Sequence, residues 1–322
     1  MARWLVTGGA GFIGSHLVEA LVASGEQVRV LDNFSTGRRE NLSAVRDRIE
    51  VIEADVRDPL AVRQAVDGVE VVAHLAAVVS VERSLENPQE TMDVNTEGTL
   101  NLLEAARQAG VSRFLFASSA AVYGDHSELP LREDLPLRPL SPYAASKVAG
   151  EALCHAYRAA YGLPTVILRF FNIYGPRQDP RSPYSGVISI FVGRMRDGRP
   201  PIVYGDGLQT RDFVYVGDVV AALIRAGKQD GAVGAVVNIA RGEETSVLRL
   251  VTLLNQTLGT ALEPEFAPPR AGEIRRSAGD PRRARSILGW QPTVGLAEGL
   301  ARLIHSGQST PSTAISGCTC VT

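Results

Sequence analysis

The chain has 322 residues and a mass of 34.4 kDa, with 45% apolar and 21% charged positions: ample material for a large core and too little charge for a disordered chain. Its 33 basic and 35 acidic residues leave a net charge of -2, so the composition carries no electrostatic footprint of a nucleic-acid partner. The longest apolar stretch, residues 69–81, is interrupted by Glu70 and His74 and is too short to span a bilayer, so no membrane partner is expected.

In chain order, residues 3–8 read as a strand running into a glycine turn rather than as a secretory signal, and a soluble cytoplasmic protein is expected. Short apolar and β-branched runs recur at 4–7, 27–31, 50–53, 69–73, 113–117 and 165–169, with helical patterns between them such as 13–24 and 99–110. This alternation predicts an α/β fold built on a Rossmann-like doubly wound parallel sheet, with its ligand crevice at the carboxyl ends of the strands. After residue 173 the alternation stops and Gly, Pro and Arg become frequent. A first domain over 1–173 is therefore expected, followed by a smaller mixed α/β substrate lobe over 174–305, some of whose elements can return to the first domain. Helices are expected near 217–226, 246–258 and 295–305. Residues 306–322 carry no charge, are rich in Ser and Thr, and read as a disordered tail.

Three cysteines, Cys154, Cys318 and Cys320, cannot make a disulfide framework for a chain of this size, which suits a reducing compartment. Cys318 and Cys320 have no His or third Cys nearby, so no metal is expected.

The segment Thr7-Gly8-Gly9-Ala10-Gly11-Phe12-Ile13-Gly14 follows the first strand and opens the first helix. Gly8 suits a tight turn, Gly11 a close approach of backbone to a diphosphate, and Gly14 close packing of helix on strand, while the helix start offers free N–H groups. Asp32 ends the second strand, where its carboxylate can accept hydrogen bonds from an adenosine ribose and would repel a 2′-phosphate; NAD is favoured over NADP. Arg38 and Arg39 weaken that preference and read as solvated surface. Asp55 ends the third strand and suits either an adenine edge or a helix cap.

Tyr143 and Lys147 stand four apart behind Ser141-Pro142, a good helix start, so both side chains share one face. Lowering a tyrosine pKa from near 10 to about 7 requires roughly 4 kcal/mol of preferential stabilisation of the phenolate. One positive charge at about 5 Å supplies roughly 3 kcal/mol at an effective dielectric of about 20. Lys147 together with an oxidised nicotinamide ring would thus poise Tyr143 as a base.

These motifs, with His74-Leu75-Ala76-Ala77, Asn95, the run from Ser118 to Gly124, Arg169-Phe170-Phe171-Asn172 and Arg211-Asp212-Phe213, resemble the extended short-chain dehydrogenase/reductase family over residues 3–304. Within it the chain is similar to nucleotide-sugar 4-epimerases of the UDP-glucose/UDP-N-acetylglucosamine type. The resemblance implies that Ser119 is the third catalytic group and that Asn33, Val56, Leu75, Ala76, Ala77 and Phe170 line the cofactor. It also implies that Asn95 organises the helix behind the site and that Phe171 and Asn172 lie near nicotinamide and substrate. Arg211 and Arg270 match phosphate-binding arginines, Glu273 a ribose-binding acid, Ser80 a position near the hexose, and Ser277 a gate at the sugar C2 substituent. The loop from Arg177 to Val187 is similar to the sugar-binding loop of members that take N-acetylated substrates.

Dehydratases of the family carry Asp-Glu after the hydroxyl residue and decarboxylases retain a Glu there, whereas this chain has Ala120 and Ala121. A UDP-hexose 4-epimerase acting through a 4-keto sugar is the resulting expectation, with a small Ser277 admitting acetamido sugars. UDP-glucuronate 4-epimerase, a 4,6-dehydratase and a noncatalytic NAD-sensing protein are the rival readings. The family also implies a homodimer through a four-helix bundle near 95–110 and 143–161, with apolar Leu100, Leu103, Leu153 and Tyr157 available either for that interface or for the chain's own core.

Overall fold

The structure, a computed structural model, describes residues 1–179, 186–269 and 274–306. The first strands are β1 (Arg3–Thr7), β2 (Gln27–Asp32), β3 (Ile49–Glu53), β4 (Val71–His74), β5 (Arg113–Ser119) and β6 (Thr165–Phe170). Between them run α1 (Phe12–Ala23), α2 (Pro59–Val66), α3 (Val81–Glu86), α4 (Pro88–Met92), α5 (Gly98–Ala109) and α6 (Pro142–Tyr161). The later chain adds β7 (Asn172–Tyr174), α7 (Val187–Arg196), β8 (Ile202–Tyr204), β9 (Thr210–Arg211), β10 (Phe213–Tyr215) and α8 (Val216–Lys228). It ends with β11 (Val236–Ile239), β12 (Thr245–Ser246), α9 (Val247–Leu258), β13 (Glu265–Ala267), α10 (Arg282–Leu288) and α11 (Leu296–Ser306).

A seven-stranded parallel sheet, in the order β11-β6-β5-β4-β1-β2-β3, forms the expected doubly wound architecture. Strand order reverses at the β1–β4 pair, so a crevice opens at the carboxyl ends of these two strands. Both faces of the sheet are covered, which is why the strands read as nearly continuous apolar runs. Successive residues serve opposite layers: Trp4 and Leu115 pack with Leu17, Leu21 and Leu223, while Leu5 and Phe114 pack with Val62, Leu102 and Cys154.

β11, absent from the sequence reading, returns the later chain to the edge of the large sheet beside β6. Val219 and Leu223 of α8 and Ala284 and Leu288 of α10 join the same core. Among the described residues, the remaining lobe contains three two-stranded sheets, β10-β7, β12-β9 and β13-β8. Its own core gathers Phe191, Met195, Phe213, Leu250, Leu254, Leu300 and Leu303, and Phe12 and Ile13 at the start of α1 pack against it. The first turn of α1 therefore sits between the sheet and the lobe.

Candidate active site

β1 delivers Thr7 to the crevice, and Gly8 turns the chain there with φ of 67°. A Cβ on Gly8 would lie 2.9 Å from the Ala76 nitrogen, and one on Gly14 only 2.1 Å from the Gly8 carbonyl oxygen. The loop, the end of β4 and the first turn of α1 are thus packed at a spacing that only glycine allows. Gly11 precedes α1, and no side chain caps the helix, which leaves its first-turn N–H groups to an anion.

Asp32 is buried at the end of β2, accepting from the N–H groups of Ala10 (2.9 Å) and Phe34 (2.8 Å). Burial raises its pKa, and those two hydrogen bonds oppose the rise. The glycine cradle, the open helix start and this oriented carboxylate fit a dinucleotide whose diphosphate meets α1 and whose ribose meets Asp32. Asn33 donates to Asp55 (2.8 Å), and Asp55 also accepts from Arg57, whose guanidinium holds the carboxyl down at about 2. The helix cap suggested for Asp55 belongs instead to Asp58, which accepts from Leu60 and Ala61 at the start of α2. Arg38 and Arg39 are exposed, as expected for surface groups, but each has an acidic partner, Asp179 and Glu53 respectively.

Behind the cradle runs a buried chain of hydrogen bonds. The Thr7 hydroxyl accepts from the N–H groups of Leu75 and Ala76 (3.2 Å each) and therefore donates to His74 Nδ1 (2.8 Å). Thr99 donates to the Asn95 carbonyl (2.5 Å), so it accepts from His74 Nε2 (3.0 Å). His74 is consequently a neutral ring, pushed down to about 3 by burial and then by the Lys147 charge. Asn95 lies in a π-turn, Asp93–Glu97, leading into α5. Its amide donates to the Val78 carbonyl and to Ser146 Oγ, both at 2.9 Å, and accepts from the Val78 N–H at 2.7 Å. Asn95 therefore ties the loop after β4, which carries Ala77, to α6. Val56 is buried against Gly98, and Phe170 is buried at the end of β6.

Ser141 caps α6 by accepting from Ala144, and Pro142 occupies the first turn. Tyr143 and Lys147 then project from one buried face of the helix. Lys147 Nζ donates to the Ala117 carbonyl of β5 (2.9 Å) and stands 5.9 Å from the centre of the Tyr143 ring. Burial pushes Lys147 down to about 8, while Glu151 opposes the fall. Tyr143 is raised by burial, against the pull of a hydrogen bond with Ser119. In the protein alone, then, burial outweighs the Ser119 hydrogen bond and holds the Tyr143 pKa above its ordinary value; the lowering anticipated from Lys147 invoked an oxidised nicotinamide ring as well. Ser119, half-buried at the end of β5, completes the group, and Ala120 and Ala121 follow in a 3-10 turn.

The substrate side is more scattered. Ser80 caps α3, accepting from the Arg83 N–H at 3.0 Å. Asn172 begins β7 beside Phe213 of β10, and Phe171 packs on Tyr123. Arg211 donates to the carbonyls of Thr210 and Ile274 (2.8 Å each) and so buttresses the segment leading to Ser277, which is buried. Its neighbour Asp212 is fully buried and accepts from the N–H groups of Arg241 (2.9 Å), Gly242 (2.8 Å) and Gly279 (3.1 Å). Burial nevertheless pushes Asp212 up to about 6. Arg270, Glu273, Cys318, Cys320, residues 307–322 and residues 180–185 of the loop resembling a sugar-binding loop lie outside the described residues.

Sequence reasoning missed the buried Glu151–Arg169 pair beneath the site. Its signal was an arginine inside the otherwise apolar run 166–170.

Residues 4–240 match the NAD dependent epimerase/dehydratase family. A UDP-glucose 4-epimerase of Mycolicibacterium smegmatis is 47% identical over 307 residues, covering 94% of this chain and 97% of the relative. Among solved structures, a UDP-glucose 4-epimerase of Thermotoga maritima with UDP-glucose is 38% identical, with a TM-score of 0.91 over 95% of this chain and 98% of that one. A UDP-N-acetylglucosamine 4-epimerase of Methanobrevibacter ruminantium in complex with UDP-N-acetylmuramic acid is 34% identical, with a TM-score of 0.92 over 96% and 98%. Likeness of this extent, joined to a nucleotide cradle and a Ser-Tyr-Lys group at the same crevice, shows that the chain belongs to the NAD-dependent epimerase/dehydratase family of extended short-chain dehydrogenases/reductases.

Proposed function

We propose that the chain is a UDP-hexose 4-epimerase, interconverting UDP-glucose with UDP-galactose and UDP-N-acetylglucosamine with UDP-N-acetylgalactosamine through a 4-keto sugar. The observation that carries this reading is the convergence of Ser119, Tyr143 and Lys147 beside the cradle, with alanines at 120 and 121. The 47% identical relative and the UDP-glucose complex of the Thermotoga protein support the substrate class.

NAD, when bound, would supply the hydride acceptor and donor for chemistry at sugar C4. Gly8, Gly11, Phe12, Ile13 and Gly14 would hold its diphosphate, and Asp32 its adenosine ribose. Tyr143 takes the proton of the C4 hydroxyl as that carbon is oxidised and gives it back when the hydroxyl re-forms on the other face. Ser119 hydrogen bonds to the same oxygen, and the Lys147 ammonium favours the phenolate form of Tyr143 electrostatically. Ala120 and Ala121 have no group to move protons at C5 or C6, so the sugar leaves with its oxygen content unchanged.

Arg211 and Arg270 are assigned to the substrate diphosphate, Glu273 to its ribose, and Ser80 and Asn172 to the hexose. Ser277, buried and small, leaves room for an acetamido group at C2. No described helix is long and apolar enough to cross a membrane; a cytoplasmic location is part of the proposal. So is a homodimer through α5 and α6. Of the four apolar residues considered for that interface, Leu103 is fully buried in the chain's own core, and Leu153 and Tyr157 pack partly against it. Leu100 is exposed and available to a partner.

Purified protein supplied with a panel of UDP-sugars, with products separated by chromatography, tests the reading. Epimers of both UDP-hexose and UDP-N-acetylhexosamine substrates are the expected products. UDP-glucose turnover without UDP-N-acetylglucosamine turnover overturns the role of Ser277, and failure on every sugar overturns the function.

A further inference from the structure

Glu151 lies four residues beyond Lys147 and eight beyond Tyr143 on α6, so it shares their buried face. Its side chain is only 3% exposed and that of Arg169 only 4%. Arg169 grips the carboxylate through two hydrogen bonds, Nε to Oε1 at 2.9 Å and Nη2 to Oε2 at 2.7 Å. Ser118 donates to Oε1 at 2.5 Å. One carboxylate therefore joins α6, the end of β5 and the end of β6. Arg169 Nη1 reaches onward to the Tyr123 hydroxyl at 2.9 Å, and that hydroxyl donates to Asn238 Oδ1 of β11 at 2.7 Å.

A buried ion pair is a poor choice for stability alone, because desolvating both ions offsets their attraction and apolar side chains of similar volume fill such a space as well. Its position suggests another use. Ser118 is the immediate neighbour of Ser119, and Tyr123 closes the turn that starts there. Around the Lys147 ammonium stand Tyr143 and Glu151 from α6, the Phe116 ring and Ala117 carbonyl from β5, and neutral His74 from β4. Glu151 is the carboxylate that acts on this ammonium, and Arg169 is bonded to both oxygens of that same carboxylate.

We propose that Glu151, clamped by Arg169 and Ser118, is a positioning residue that fixes Lys147 and Tyr143 relative to Ser119 and places a buried negative charge one helical turn behind the Lys147 ammonium. This inference rests on the reading of Ser119, Tyr143 and Lys147 as the catalytic group. Burial drives the ammonium toward losing its proton, and Glu151 holds that proton on; the pair thereby sets the alkaline limit of activity.

The test is the double variant Glu151→Gln/Arg169→Met, which removes both ions together and avoids stranding one of them. In the NAD-loaded protein, kcat for UDP-galactose should fall about tenfold from loosened geometry while KM stays within about twofold. The alkaline limb of the kcat profile should move to lower pH, because Glu151 raises the Lys147 pKa whereas Arg169 does not figure among the groups that act on it, and a purely structural role would not cause such a shift. A folded double variant with wild-type kcat, or with lower kcat and an unmoved alkaline limb, overturns the proposal. If the double variant does not melt cooperatively, Ser118→Ala decides: a fall in kcat at constant KM supports the clamp, and wild-type kcat overturns it. Tyr143→Phe run in parallel separates the two levels, since normal turnover there defeats the reading of the catalytic group rather than the role of Glu151.

Discussion

The cofactor half and the later lobe hold their polar groups by different means. In the large sheet Asp32 is fixed by two main-chain N–H groups, and Thr7, His74, Thr99 and Asn95 form one directed hydrogen-bond chain out of contact with water. In the lobe, the Arg275–Asp206 pair is more than half exposed on both sides, and Arg276–Glu244 reaches well into solvent. Buried networks with no alternative partners fix a geometry, whereas solvated ion pairs exchange partners at little cost. Proton and hydride transfer at one fixed carbon needs the first arrangement. Asp212 and Asp218 depart from this pattern: both are buried carboxylates in the lobe, Asp212 accepting from the N–H groups of Arg241, Gly242 and Gly279 and Asp218 from those of Thr293 and Val294.

Breaking the rigid half should have the largest effect. Tyr143→Phe should reduce kcat about 10²- to 10⁴-fold with little change in substrate affinity, measured by UDP-galactose turnover and by calorimetric binding of the same sugar. In the lobe, Ser277→Tyr should lower kcat/KM for UDP-N-acetylglucosamine at least about tenfold and leave UDP-glucose nearly untouched. Equal losses on both sugars would remove the gate from Ser277.

The next effect is on stability. His74 titrates near 6.5 in an unfolded chain and at about 3 when folded, so between those values the unfolded chain binds a proton that the folded one does not. Its contribution is complete above about pH 6.5 and is lost progressively as the pH falls toward 3. His74→Gln should therefore flatten the fall of Tm on acidification, and parallel Tm curves for variant and parent would contradict this. The smallest effect belongs to the exposed pair: Arg275→Ala should shift Tm by no more than about 2 °C at moderate salt.

The large sheet was legible because a parallel strand buried on both faces is an unbroken apolar run, and each of the six expected strands appears within two residues of its anticipated bounds. The glycine loop and the Tyr-Lys pair were legible because their spacing is local. β11 was not, since the four residues Val236–Ile239 follow a helix of the later lobe and gain their place only by pairing with β6, nearly seventy residues earlier. Glu151 was hidden for a related reason: a glutamate in a helix reads as a solvated face until the strand carrying Arg169 is folded against it. Asp55 shows the limit of reading a strand end alone, where the carboxylate three residues later takes the helix cap.

In the proposed reaction hydride leaves C4 and returns to C4 while no proton at C5 or C6 is moved. Its most direct test is conversion of UDP-galactose by the purified, NAD-loaded protein in deuterated water, followed by mass spectrometry and proton NMR of the isolated product. The expected product is UDP-glucose that carries no carbon-bound deuterium. Deuterium at C5 or C6, or a 4-keto-6-deoxy product, would contradict it.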